Sequence, residues 1–249
     1  MLTIALTAAE AETLLSTRLH WFRHSRVAAA PRLLRSANGY TLSPSMAQHV
    51  SLVGELVQFP RLNELVAVPE ADLVEGSAED SWPNSCKSGS CKGSTYLNPA
   101  VLTERYKLPH KAGERAKAAA TKSSMAVAEF QGQYYKPTDL KQFGDDCGVD
   151  VSIQQTIGGD LPVAGLEAEL DIEYIKAVAP AVPLTVVYNS QYSLLSWANQ
   201  ISSLENPPLV HSVSYGNDEK QQASSAYIVS CNTAFMKAGA RPFHSLRLW

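Results

Sequence analysis

Apolar positions along the chain follow two patterns, a three-to-four residue recurrence and short unbroken runs, and the second half alternates between them. The first 60 residues read as a small α+β unit. Thr7-Ala8-Ala9-Glu10 has the spacing of a capping box and predicts a helix from Ala8 to Ser16. Leu19 to Arg23 reads as a strand. Arg32 to Arg35 and Tyr40 to Leu42 flank Ser36-Ala37-Asn38-Gly39, where Asn-Gly predicts a turn between two strands. Ser43-Pro44 opens a second short helix through Met46, His49 and Val50, with proline at the first helical position. Leu56 to Phe59 reads as a closing strand, ended by Pro60.

From about Gly76 to Lys92 the composition shifts toward Ser, Gly, Lys, Asp and Pro, with almost nothing apolar beyond Trp82. Such a stretch buries too little surface to offset the entropy of ordering it, so it reads as a linker. Beyond it the pattern predicts a helix at Pro99 to Tyr106, a strand at Ser124 to Phe130, a helix at Pro137 to Phe143 and a strand at Val149 to Ile153. It continues with a helix at Val163 to Val178, a strand at Pro183 to Tyr188, a helix at Ser193 to Leu204, a strand at Val210 to Ser214 and a helix at Ala223 to Ala240. Alternating strands and helices predict a parallel sheet with helices on both faces.

Composition changes this picture little. The chain has 249 residues, 45% hydrophobic and 18% charged, and a formal charge of -3 that argues against a nucleic-acid partner. No apolar run reaches the roughly 18 residues that span a bilayer. The first ten residues lack the basic flank of a signal peptide. Cys86 and Cys91 are spaced for a small bridge, whereas Cys147 and Cys231 stand alone. Cys-x4-Cys without a second ligand pair does not make a zinc site.

The chemistry concentrates in Gly165-Leu-Glu-Ala-Glu-Leu-Asp-Ile-Glu-Tyr-Ile-Lys, which offers two acid pairs at i,i+4: Glu167 with Asp171, and Glu169 with Glu173. At about 100° per residue, Gly165, Glu169, Glu173 and Lys176 share one arc, read as a solvated face. Glu167 and Asp171 fall within the arc of Leu166, Leu170, Tyr174 and Ile175, read as facing the protein. Two carboxylates with Cβ atoms about 6 Å apart repel, and desolvation adds to that cost. A metal, a shared proton or outside donors would each account for such a pair. A kinked or differently rotated helix would remove the difficulty.

Ala164 to Tyr174 resembles the Glu-x-x-x-Asp catalytic helix of the sedolisins, the serine-carboxyl peptidases. Four further blocks match in the family's order: Asn98 to Tyr106, Met125 to Tyr135 with Asp139 to Phe143, Val213 to Gly216, and Ser224 to Tyr227. The match is to the tripeptidyl-peptidase type, and residues 1–60 resemble the later part of the family's propeptide. The resemblance implies an α/β fold, an incomplete subtilisin-like parallel sheet with flanking helices, preceded by a small α+β propeptide-like domain. It implies a domain at residues 1–75, a linker at 76–97, the first part of the peptidase domain at 98–241, and an aberrant tail at 242–249. Glu167 would be the general base toward a serine and Asp171 its proton-sharing partner. Ser214, Tyr215 and Gly216 would pair with the substrate backbone; an ordinary strand end with a glycine turn is the plain alternative for that segment.

The family's Ser-Gly-Asp segment, which carries the oxyanion aspartate, and its Gly-Thr-Ser segment, which carries the nucleophile, do not occur. Pro242 interrupts where a central strand is expected. The expectation is therefore a peptidase, tripeptide-releasing or internal-cutting, truncated before its nucleophile and inactive as given. No metal or cofactor is expected here, although full-length relatives carry calcium. Peptides or proteins are the expected substrates, with no membrane partner, and the resemblance implies an extracellular or lysosomal location. Two other readings stay open: a non-catalytic, propeptide-like inhibitor, and an α/β enzyme whose Glu167 and Asp171 bind a divalent metal.

Overall fold

A computed structural model describes residues 4–23, 25, 32–54, 56–57, 59, 98–108, 123–130, 132–159, 165–190, 192–216, 224–241 and 245–248. The expected linker at 76–97 lies outside them. Contacts divide the chain into two units.

One unit contains α1 (Ala8–Leu14), β1 (Leu19–Phe22), β2 (Leu33–Ser36) and α2 (Pro44–Ala47). Thr7 and Glu10 form the capping box that the sequence predicts. β1 and β2 pair antiparallel, from Leu19 opposite Ser36 to Phe22 opposite Leu33. The expected strand at Tyr40 to Leu42 is not one. Gly39 does turn the chain, with φ of 81°, a conformation that glycine adopts without cost. Its carbonyl then accepts from the Thr17 and Ser36 hydroxyls instead of joining a ladder. Leu56 to Phe59 is likewise no strand among its described residues: Leu56 accepts one hydrogen bond from Ser36 N–H, and Phe59 packs edge-on against Phe22.

The same unit contains α6 (Leu194–Ser202) and α7 (Ser225–Gly239). Ser193 and Ser224 cap them by accepting from Ser196 and Tyr227 N–H. The two helices pack together. Trp197, Ala198 and Ile201 are buried on α6, and Tyr227, Cys231, Ala234 and Ala238 on α7, at the spacing of one helical stripe.

The second unit holds α3 (Pro99–Tyr106), α4 (Pro137–Cys147) and α5 (Leu166–Val178) with a five-stranded sheet. The strands are β3 (Met125–Phe130), β4 (Gln155–Ile157), β5 (Leu184–Asn189), β6 (Val210–Val213) and β7 (Ser245–Leu248). Their order is β4-β5-β3-β6-β7, and every pairing is parallel. β3 is buried along its whole length and β5 nearly so, as expected of central strands covered on both faces. Met125, Val127, Leu184 and Val186 form one core with Leu140 of α4 and Ile172 of α5.

Three expectations need correction here. Val149 to Ile153 alternates but forms no strand; Val151 and Ile153 pack on that core while the ladder forms later, in the more polar β4. Residues 245–248, for which the sequence predicts no strand, pair with β6 as β7. Cys147 is disulfide-bonded rather than alone, whereas Cys231 is a buried free thiol.

Candidate active site

The sheet's connectivity gives a reason to look at one end of it. After β3 the chain lays β4 and β5 on one side and then β6 and β7 on the other. Ligands of parallel α/β sheets bind at the carboxyl ends of strands where the order reverses in this way. That edge is formed by Glu129 and Phe130 of β3, Asn189 of β5 and Ser214 just after β6.

The segment after β3 places α5 at that edge. Tyr134 stacks on Tyr188 at 4.1 Å between ring centres, and the Tyr188 hydroxyl accepts from Gly132 N–H at 2.7 Å. Tyr134 O in turn accepts from Gly165 N–H at 2.7 Å, which fixes the start of α5. Gly165 has to be glycine because a Cβ there would lie 2.8 Å from Gln133 Cα. Glu167 is thereby held in the first helical turn and Asp171 one turn further on.

Asp171 is joined across the site by Ser214, whose hydroxyl donates to Asp171 Oδ1 at 2.8 Å. Asp171 Oδ2 is buried and accepts no hydrogen bond among the described residues. Burial, then the charge of Glu167, raise the Asp171 carboxyl to about 7, against the opposing Ser214 hydrogen bond. Burial also raises Glu167 above the usual carboxylate range. A carboxylic acid that keeps its proton beside a second carboxyl can pass that proton between them.

The helical arcs follow the sequence expectation only in part: Tyr174 packs on Phe143 and Ile175 on the core, but four other residues depart from it. Leu166 and Leu170 are 60% and 48% exposed, whereas Glu169 and Lys176 are buried. Small residues, Gly165 and Ala168, together with Ile172 form the close-packed side. The two long charged side chains beside them reach backbone groups at its margin. Glu169 Oε1 accepts from Lys136 N–H, and Lys176 Nζ donates to Pro180 O at 2.7 Å. Glu173 is raised to about 7 by burial and by Glu169 and Asp139. Burial therefore does not separate the two acid pairs. Contact with the strand edge does, because it is Asp171 that meets Ser214.

Of the expected substrate-binding residues, Ser214 and Tyr215 are half-buried and Gly216 is exposed. Tyr215 lies tilted against Tyr192, ring centres 6.4 Å apart. The motif tyrosine, Tyr174, packs on Phe143 of α4. The Ser214 side-chain contact with Asp171 was not foreseen, because i,i+4 spacing within a helix carries no information about a residue 43 positions away. Glu129 of β3 is a further buried acid at this edge. It is 1% exposed, and a lone acid in the apolar run Met-Ala-Val-Ala-Glu-Phe was the signal for it. Among the described residues no group of three or more His, Cys, Asp or Glu is placed to hold a metal ion.

No protein-family model matches this chain. It is 32% identical over 250 residues to tripeptidyl-peptidase 1 of Canis lupus familiaris, covering 96% of this chain and 41% of that protein. Tripeptidyl-peptidase 1 of Rattus norvegicus is 33% identical over 251 residues with the same coverage, and that of Homo sapiens 32% identical over 220 residues, 84% of this chain. The chain spans about two-fifths of the length of the first two relatives. Over the length it spans, this chain belongs to the sedolisin family, tripeptidyl-peptidase 1 type.

Proposed function

We propose that these residues supply the acid half of a serine-carboxyl peptidase site acting on peptides or proteins. The observation that carries the reading is a pair of carboxyls one helical turn apart, both held above their ordinary range, at the carboxyl edge of a parallel sheet. Glu167 takes the proton of an attacking serine hydroxyl, and Asp171 orients it and shares the proton, the role of the third member in related triads. A carboxylate base works at acid pH, which suits the lysosomal or extracellular setting of the reading. No helix among the described residues is long and apolar enough to cross a membrane.

Ser214, Tyr215 and Gly216 offer main-chain groups to an extended substrate, adding it as a strand. The 249 residues contain no Gly-Thr-Ser and no Ser-Gly-Asp segment. By themselves they therefore bind peptide without hydrolysing it, and they use no cofactor. Residues 1–75 act as the propeptide-like part and 98–241 as the start of the peptidase domain.

The test uses the purified chain at about pH 4 with a fluorogenic tripeptide amide and a labelled extended peptide. The expected result is saturable peptide binding that Gly216→Pro weakens by removing an N–H, with no fluorophore release. Release that Glu167→Gln abolishes would overturn the inactivity. Absence of peptide binding would overturn the strand-addition reading, and inhibition of an active tripeptidyl-peptidase by the chain would favour the inhibitor instead.

A further inference from the structure

We propose that the Ser214 hydroxyl is a positioning group for Asp171, fixing which carboxyl oxygen exchanges the proton with Glu167. Its functional meaning rests on the peptidase reading above. That reading uses only the main chain of residues 214–216; the side chain of Ser214 does something separate.

The two oxygens of Asp171 have unequal surroundings. Oδ1 accepts the Ser214 O–H at 2.8 Å. Oδ2 is buried and accepts no hydrogen bond among the described residues. A proton placed on Oδ1 would compete with the serine donor, whereas a proton on Oδ2 leaves that bond intact. The acid form of Asp171 therefore carries its proton on Oδ2, and the proton moves to and from Glu167 through that oxygen. A buried carboxylate charge is costly, and a proton on Oδ2 removes that charge without breaking the Ser214 bond. Ser214 suits the task because it is the first residue beyond β6, and β6 is fixed by ladders to β3 and β7.

Glu104 and Arg105 of α3 are exposed, and Asp139 of α4 acts on Glu169 and Glu173. Glu129 is buried in β3, and His211 of β6 contacts Pro208 O at 2.8 Å. Glu167 is the charge that acts on Asp171.

The test is a carboxyl-carbon NMR titration of Asp171 in the full chain, with Ser214→Ala, Ser214→Thr and Glu167→Gln. Removing the hydroxyl withdraws a donor that favours the ionised form, so Ser214→Ala raises the Asp171 midpoint by about one pH unit. Ser214→Thr, which keeps the hydroxyl, restores it, and a purely structural role predicts no such restoration. If Ser214→Ala does not fold, Ser214→Cys keeps the size with a far weaker donor, and the midpoint again rises. An unchanged midpoint in the folded Ala or Cys variant overturns the proposal. Glu167→Gln separates this from the peptidase reading: if it leaves Asp171 unmoved, the proton-sharing pair fails while the Ser214 contact stands. If it moves Asp171 and Ser214→Ala does not, the Ser214 proposal alone fails.

Discussion

Replacing Asp171 by Asn removes a titrating group while keeping its size and an acceptor for the Ser214 hydroxyl. In the folded chain Asp171 holds its proton up to about 7, against 3.8 for an unburied Asp. Below the lower value the group is protonated in both folded and unfolded chains and makes no difference between them. As pH rises above it, the unfolded chain ionises freely while the folded chain resists, so folding loses stability until the folded group also ionises near 7. A displacement of that size corresponds to about 4 kcal/mol. Glu173 and Glu169 contribute losses of the same sign, so the wild type alone does not isolate Asp171. The difference between wild type and Asp171→Asn does. Urea unfolding of both proteins from roughly pH 3.5 to pH 8 should show the Asn variant gaining on the wild type by about 4 kcal/mol across that window, then levelling off. Two curves that stay parallel would refute the burial of Asp171 as the source of its high protonation.

Lys176→Met should destabilise the chain by about 1–3 kcal/mol, because Nζ satisfies the Pro180 carbonyl after α5 and a thioether does not; thermal unfolding reads this directly. Gly165→Ala should cost about 1–3 kcal/mol, since the added methyl forces Gln133 and the start of α5 apart, and it should also disturb the Asp171 titration.

Much of the parallel sheet was legible because β3 and β5 are short, largely apolar runs and β6, Val-His-Ser-Val, is bounded by valines. Strand edges were less so. Val149 to Ile153 alternates because one side of a loop packs on the core, and β4 is read poorly because Gln155 and Thr156 are polar in an edge strand. The turn at Gly39 was legible from Asn-Gly, but what followed it depended on where Thr17 and Ser36 hydroxyls lay. In α5 the four-residue spacing of the acids was plain, and the exposed side was not. Leu166 and Leu170 look like core by type, while Glu169 and Lys176 look like surface until their backbone partners are known. Glu167 and Asp171 remained the better pair for a reason that the helix itself does not contain, namely the hydroxyl brought to Asp171 by the end of β6.

The most direct measurement of the central claim is the Asp171 carboxyl titration in wild type and in Glu167→Gln. A proton-sharing pair predicts that Asp171 titrates near 7 in the wild type and that removing the Glu167 charge lowers its midpoint. An Asp171 that titrates near 4 in both proteins would contradict it.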